Sequence, residues 1–268
     1  MRNIKIKIQY NGKNYCGWQK QPDSLGIQGT IERAIYDITK EETSLIGSGR
    51  TDSGVHAIGQ IANFKINSGI SIESIPMALN AKLPKDISVI EACEVNDDFH
   101  SRYSAKGKTY KYLVYNSKFR NPILSEISYQ VKYELDFDKM CSEAKSLLGT
   151  HDFKGFMSSG SSVKDTVRTI YDIGISKKDD LITFEISGNG FLYNMVRIIV
   201  GTLVDMGRGR INEPFLDIIQ SKTRSRCGHT APAQGLFLKK FIINLTHQAT
   251  CIKIYENVLI SPLAPDLT

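Results

Sequence analysis

Residues 47–57 have the sequence GSGRTDSGVHA, in which three glycines surround an arginine, Arg50, and an aspartate, Asp52. Glycine lets the backbone turn sharply and approach a ligand closely. The stretch follows a short helical pattern and runs into an alternating, strand-like segment at residues 60–66. We therefore predict a tight loop, from which the carboxylate of Asp52 points into a cleft.

Arg50 and Asp52 are close enough in sequence for their side chains to meet. The guanidinium would orient the carboxylate, and its positive charge would hold Asp52 ionised at neutral pH. An ionised, oriented carboxylate is equipped to attack an electrophilic carbon. The alternative is structural, because an aspartate in a glycine-rich loop often accepts a hydrogen bond from its own backbone in an Asx turn.

Motifs along the chain follow the order found in one enzyme family. Residues 47–57 resemble the G-R-T-D-x-G-V-H-A signature of the tRNA pseudouridine synthase A family. Residues 10–21, YNGKNYCGWQKQ, resemble its opening Y-D-G-x-x-Y-x-G-W-Q-x-Q, with Asn11 where aspartate is usual. The family's central motif is similar to FHSRYSA at residues 99–105 followed by YKY at 110–112. Its two late motifs are similar to FLYNMVR at residues 191–197 with VG at 200–201, and to TAPAQGL at residues 230–236.

The resemblance implies an α+β fold, the pseudouridine synthase fold. In it, two α/β domains with antiparallel sheets meet at a central basic active-site cleft. We place the N-terminal domain, with the Asp52 loop, at residues 1–105, the C-terminal domain at residues 106–245 and a C-terminal extension at residues 246–268. Apolar residues in the extension indicate a docked segment whose role the sequence does not reveal.

Hydrophobic periodicity predicts similar elements in both halves. In the first half we predict strands at residues 4–10, 60–66 and 87–95 and helices at 27–38 and 74–82. In the second half we predict strands at residues 109–115, 167–176, 181–187 and 235–243 and helices at 138–148, 191–206 and 213–221. Residues 177–180, KKDD, are predicted to form a hairpin between two of these strands.

The resemblance also implies the residues of the site. Asp52 takes the position of the catalytic nucleophile, and the other catalytic positions are Arg50, Tyr110 and Arg197. Arg197 lies in a helix of otherwise apolar rhythm, where an unpaired charge would be costly to bury, so we predict that it binds Asp52. The positions implied for substrate binding are Tyr110, Leu236, Lys20, Gln21 and Arg102.

The activity implied is isomerisation of uridine to pseudouridine at positions 38, 39 and/or 40 in the anticodon stem-loop of tRNA, by a homodimer. The N1–C1′ bond breaks, the base rejoins the ribose through C5, and the C5 proton leaves, so no cofactor is needed. Asp52 would either attack C1′ to give an ester or remove the C2′ proton to give a glycal. The sequence leaves both routes open. A base in a stem must first be extracted, at an unstacking cost of a few kcal/mol.

The charge distribution agrees with an acidic partner. The 268 residues include 34 Lys and Arg against 28 Asp and Glu, a net charge of +6. Residues 99–125 hold six cations and no acidic residue, and residues 201–240 hold seven cations against three acidic residues. Two basic zones, one with tyrosines, suit a phosphate backbone whose bases stack on aromatic rings. On charge alone, an ordinary solvated surface is an equal alternative.

Cysteine and histidine usage indicates neither disulfides nor a metal site. The five cysteines are scattered without a C-x-x-C pair, which fits a reducing cytoplasm. The five histidines do not cluster at ligand spacing. The N-terminus lacks the apolar segment of a signal peptide, and no apolar run has membrane-spanning length. We therefore expect a soluble cytoplasmic protein without a metal.

Two other classes of function are compatible with parts of the sequence. A non-catalytic RNA-binding module with two sheet-based domains would leave Arg50, Asp52, Tyr110 and Arg197 without a purpose. A retaining glycosidase also forms a glycosyl ester on a carboxylate, but it usually has a second carboxylate as general acid. The motifs quoted above contain no such companion, so the glycosidase is the weakest of the three hypotheses.

Overall fold

The computed structural model of the protein describes residues 1–160 and 163–243, together with the backbone of residues 251–252. The helices are α1 (Ile27–Thr39), α2 (Ser74–Asn80), α3 (Phe137–Ala144), α4 (Met195–Gly207) and α5 (Phe215–Ser221). The strands are β1 (Arg2–Tyr10), β2 (Ile46–Gly47), β3 (His56–Ile66), β4 (Ile87–Val95), β5 (Ala105–Asn116), β6 (Tyr129–Val131), β7 (Gly149–Asp152), β8 (Val167–Lys178), β9 (Leu181–Gly188), β10 (Leu236–Ile243) and β11 (Cys251–Ile252).

These strands form one large, mostly antiparallel sheet. Its order in the described part of the chain is β11-β4-β1-β3-β10-β5-β9-β8-β7, with β2 paired to β3 and β6 paired to β5. The helices lie between strands in sequence and supply much of the apolar core. The α+β class predicted from the sequence is confirmed.

Strand β10 joins the two halves of this sheet. It pairs in parallel with β3, where Phe237 lies opposite His56, and antiparallel with β5, where Leu238 lies opposite Tyr110. Because the glycine-rich loop leads directly into β3 at His56, this pairing brings the loop close to Tyr110. The two predicted domains thus share a continuous sheet, and their boundary near residue 105 stays a prediction.

Apolar periodicity explains the longer elements. In α1, Ile27, Ile31 and Ile35 recur at intervals of one turn and are fully buried against the sheet. Most of helix α4 is apolar, with Arg197, Thr202 and Asp205 as its polar residues, and every residue of the helix except Arg197 is buried. Neither of these helices, nor any other in the described residues, has the length and apolar character needed to cross a bilayer.

Short elements and helix ends differ from the prediction. Strands β2, β6 and β7 were not predicted, because two to four residues are too few to show a period. Helix α4 begins at Met195 and not at residue 191, because Asn194 has a φ of 61° and lies outside helical geometry. Helix α3 ends at Ala144 and continues as a 3-10 helix, Lys145–Leu147.

Only a small part of the predicted C-terminal extension belongs to the described residues. Strand β11 pairs antiparallel with β4, with Cys251 opposite Cys93. The prediction of a docked segment over the rest of residues 246–268 lies outside the described residues.

Gly201 allows the segment around His229 to lie directly on α4. A β-carbon at Gly201 would be 1.8 Å from the carbonyl oxygen of His229. We expect Gly201→Ala to lower the free energy of unfolding by about 2–3 kcal/mol, because the segment must move away from the helix. Urea titration measures this change. Gly174→Ala is the matched control, since no atom lies within 4 Å of its added β-carbon. Equal stability of the two variants would contradict this account of the packing.

Candidate active site

The glycine-rich loop is held by contacts from three neighbouring segments. The backbone N–H of Trp18 donates to the carbonyl oxygen of Thr51 at 3.0 Å, and the hydroxyls of Tyr10 and Thr51 lie 2.8 Å apart. The side-chain amide of Gln60 donates to the carbonyl oxygen of Gly49 at 2.8 Å. These bonds fix the backbone immediately before Asp52, so the position of its carboxylate is set by the fold.

The carboxylate of Asp52 is partly buried and accepts no hydrogen bond from the described residues. The Asx turn considered above is therefore not formed. Burial raises the pKa of Asp52, while the positive charges of Arg197 and Lys108 oppose that rise. Ionisation of Asp52 thus depends on two cations that come from the other half of the chain.

The predicted ion pairs of Asp52 with Arg50 and Arg197 do not form. Arg50 is exposed and bonds no carboxylate of the described residues, because the loop directs its side chain towards solvent. Arg197 donates instead to the carbonyl oxygen of Ala231 and to Oδ1 of Asn194, each at 2.7 Å. Its charge acts on Asp52 through space. The prediction was wrong about direct contact between the two side chains, but the charge of Arg197 still lowers the pKa of Asp52.

Asn194 positions Arg197, a role that the sequence analysis did not assign. Its left-handed backbone ends the preceding turn and starts α4, so its Oδ1 faces the guanidinium. Its Nδ2 donates to the hydroxyl of Ser158 at 3.0 Å, which fixes the orientation of the amide. Asparagine adopts positive φ more readily than most residues, and this was the available signal.

Tyr110 lies on β5 with its ring at the wall of the cleft. The ring of Phe191 meets it edge-on, with 5.2 Å between centroids, and Nζ of Lys108 lies 5.7 Å from its centroid. Burial is the main cause of a raised pKa for Tyr110, and the charge of Asp52 adds to it. The hydroxyl is therefore protonated at neutral pH and is a hydrogen-bond donor.

Lys108 is a site residue that the sequence analysis counted only as part of a basic zone. It lies two positions before Tyr110 on β5 and therefore shares its face of the strand. Burial lowers the pKa of Lys108 to about 8, and the nearby carboxylate of Asp52 opposes this shift. Alternation along the predicted strand was the signal that could have found it.

A cleft of about 990 Å³ joins these side chains. This volume is at the upper end of the range for small-molecule sites, about 300–1,000 Å³. Six of the predicted residues line the cleft: Asp52, Arg50, Tyr110, Leu236, Gln21 and Arg102. Arg197 and Lys20 do not. The amino group of Lys20 lies 3.3 Å from the carboxylate of Glu32, which holds it on the side of α1.

His56 has a structural role beside the cleft. Its Nδ1 accepts a hydrogen bond from the N–H of Gly12 at 3.1 Å, so its Nε2 donates to the carbonyl oxygen of Gln234 at 3.1 Å. Burial lowers the pKa of His56, which keeps this tautomer neutral. Within the described residues, no three His, Cys, Asp or Glu side chains are grouped so that they could hold a metal ion.

Comparison with known proteins shows which family the chain belongs to. A family model described as tRNA pseudouridine synthase matches residues 6–104 and 144–242, one stretch in each half of the chain. The tRNA pseudouridine synthase A of Acetivibrio thermocellus is 54% identical over 239 residues, which cover 89% of this chain and 98% of that protein. The tRNA pseudouridine synthase A of Thermoanaerobacter sp. is 51% identical over 243 residues, which cover 90% of this chain and 100% of that protein.

A likeness to solved structures is much more distant. The crystal structure of a Cbf5-Nop10-Gar1 complex has 13% sequence identity and a TM-score of 0.34, and the match covers 75% of this chain and 54% of that chain. The assignment therefore depends on the family match and on the relatives at about half identity. The chain belongs to the tRNA pseudouridine synthase family.

Proposed function

We propose that this protein isomerises uridine to pseudouridine at positions 38, 39 and/or 40 in the anticodon stem-loop of tRNA. The observation that carries the proposal is the partly buried carboxylate of Asp52, which has no hydrogen-bond partner among the described residues and faces the same cleft as Tyr110. The names of relatives that match nearly their full length support the substrate class. The order of the five sequence motifs supports the anticodon arm.

Asp52 is the proposed nucleophile or base. In one route its carboxylate attacks C1′ as the N1–C1′ bond breaks, giving a glycosyl ester and a uracil anion. In the other it removes the C2′ proton as the same bond breaks, giving a glycal. In both routes C5 of the turned base then bonds to C1′. The ester bond to Asp52 breaks at this step in the first route, and C2′ takes back its proton from Asp52 in the second. C5 finally loses its proton. Burial makes the carboxylate more basic than a solvated one, which favours bond formation in either step.

Tyr110 and Leu236 are proposed to hold the base during these steps. Strand β10 places Leu236 beside β5, and both side chains line the cleft. The ring of Tyr110 offers a stacking surface for uracil. Because its raised pKa keeps the hydroxyl protonated, Tyr110 can handle the C5 proton only as a relay that gives up its own proton while accepting the other.

Polar residues at the cleft are proposed to bind the RNA. Arg50, Arg102 and Gln21 line it and are free to contact phosphate or sugar groups. The exposed cations Lys20 and Arg50 would bind the backbone outside the reacting nucleotide. We further propose that the protein works as a homodimer, which the resemblance implies, and that it works in the cytoplasm, which the scattered cysteines fit.

Tritium release tests the proposed function. The unaltered protein is incubated with an anticodon-arm tRNA transcript that carries tritium at uridine C5, in excess chelator. We expect tritium to enter water, because formation of the C5–C1′ bond displaces the C5 hydrogen. Binding without release would favour a non-catalytic RNA-binding module. Appearance of free uracil would favour a glycosidase, since hydrolysis leaves the base detached.

A further inference from the structure

A second cavity, of about 450 Å³, adjoins the catalytic cleft. We call it the side cavity. Its wall shares Ser48, Arg102, Lys108 and Phe191 with the cleft, and its far side includes Arg168 at the start of β8. The isomerisation steps described above make no use of it.

Three cations line the side cavity, and none of them forms an ion pair within the described residues. Nη1 of Arg168 donates to the carbonyl oxygens of Asp165 and Val167, at 3.0 and 2.6 Å, which leaves its charge uncompensated. Arg102 and Lys108 bond no carboxylate in the part of the chain that the structure describes. The charge of Arg168 also lowers the pKa of Lys108, so these two cations repel each other. Such clustering is favourable when an anion binds between the charges.

Other groups in the wall of the side cavity also indicate an anionic ligand. Ser48 is only 7% exposed, and its buried hydroxyl has no hydrogen-bond partner among the described residues. A buried hydroxyl without a partner costs free energy, which a bound acceptor would recover. The acidic residue of the wall, Asp165, accepts a hydrogen bond from the N–H of Val167 and does not neutralise Arg168. Guanidinium, ammonium and hydroxyl donors together are typical of a phosphate site.

We propose that the side cavity binds the backbone phosphate next to the reacting uridine. A uridine held in the cleft carries a phosphate on each side, and the side cavity opens from the same walls. The proposal rests on the proposed function for the identity of the RNA. Binding at this point would fix the ribose of the reacting nucleotide relative to Asp52, since the phosphate and the ribose are covalently joined.

A cycle of changes in protein and RNA tests this contact. Anticodon stem-loop RNAs are made with one neutral methylphosphonate linkage, placed in turn at each position around the target uridine. At one linkage, we expect the unaltered protein to lose about tenfold in affinity, as for loss of one charge-assisted hydrogen bond. The Arg168→Gln protein should bind unmodified RNA about tenfold more weakly than the unaltered protein does. Its affinity should not fall further when that linkage is neutral, because the two changes remove the same interaction.

The controls separate charge at this position from general effects. Arg168→Lys should keep most of the affinity, because it keeps a donor and the charge. Lys178→Gln, on the exposed end of β8, lines neither cavity and should leave every affinity unchanged. If Arg168→Gln fails to fold, Arg102→Gln tests the same wall from an exposed side chain.

The outcomes distinguish this proposal from the proposed function. Equal losses in the unaltered protein and in the Arg168→Gln and Arg102→Gln proteins, at every neutral linkage, would overturn the phosphate site. If tritium is released while no linkage shows coupling, the isomerase stands and the side cavity has another use. If coupling is found without tritium release from any uridine, the phosphate site stands and the proposed reaction is wrong.

Discussion

Asp52→Asn is expected to abolish pseudouridine formation, with a loss of about 10⁴-fold or more in kcat. Asparagine has nearly the same shape as aspartate, but its amide can neither attack C1′ nor take the C2′ proton. The carboxylate has no hydrogen-bond partner in residues 1–160 and 163–243, so the surrounding loop should keep its position. Tritium release from C5-labelled RNA, followed under single-turnover conditions, measures the loss.

Folding and binding provide the controls for this variant. Burial raises the pKa of Asp52, so at neutral pH the folded protein bears the cost of an ionised group that is poorly solvated. Asp52→Asn removes that cost, and the free energy of unfolding should stay the same or rise. Affinity for the RNA should stay within a few-fold. Substantial activity in a folded Asp52→Asn protein would mean that another group forms the bond or takes the proton.

Arg197→Gln is expected to lower kcat/KM by about 10²-fold at neutral pH. It should also shift the acid limb of the pH profile of kcat/KM, where activity falls at low pH, to higher pH. Activity requires the ionised carboxylate of Asp52, so it falls as the pH drops through the pKa of that group. The charge of Arg197 lowers this pKa against the effect of burial. Without the charge, Asp52 takes up its proton at a higher pH, and the loss of activity begins there.

The pH dependence of kcat/KM, measured between about pH 5 and pH 9, reports this pKa in the free enzyme. Arg50→Gln is the matched control, because Arg50 is exposed and its charge is not among those that shift Asp52. It should weaken RNA binding without moving the acid limb. A profile of unchanged shape for Arg197→Gln would show that the guanidinium acts by holding the segment at Ala231 alone.

The sequence predicted those parts of the fold that depend on local pattern. Helix α1 and strands β1 and β5 have long periodic runs, and they lie where periodicity placed them. The central position of β10 has no local signature, since it depends on pairing between Phe237 and His56. Short strands such as β2 form only because a longer neighbour offers its edge.

Site residues that belong to sequence motifs could be predicted, whereas those brought together only by the tertiary fold could not. Asp52, Tyr110 and Leu236 line one cleft, as the motifs implied. Arg50 was predicted to pair with Asp52 because it lies only two residues away in sequence, but the loop exposes it. Lys108, far away in sequence, lies close to Asp52 because β3 and β5 flank the same strand. Distances across a sheet follow strand order and cannot be read from spacing along the chain.

The position of β10 also determines when the site can exist. The strand ends at Ile243 in a chain of 268 residues, yet it lies between β3 and β5. During synthesis, the segment with Asp52 and the segment with Tyr110 can each leave the ribosome long before the strand that joins them. Pairing between residues so distant in sequence is slow to form. A nascent chain is therefore unable to complete the catalytic cleft until β10 has been made.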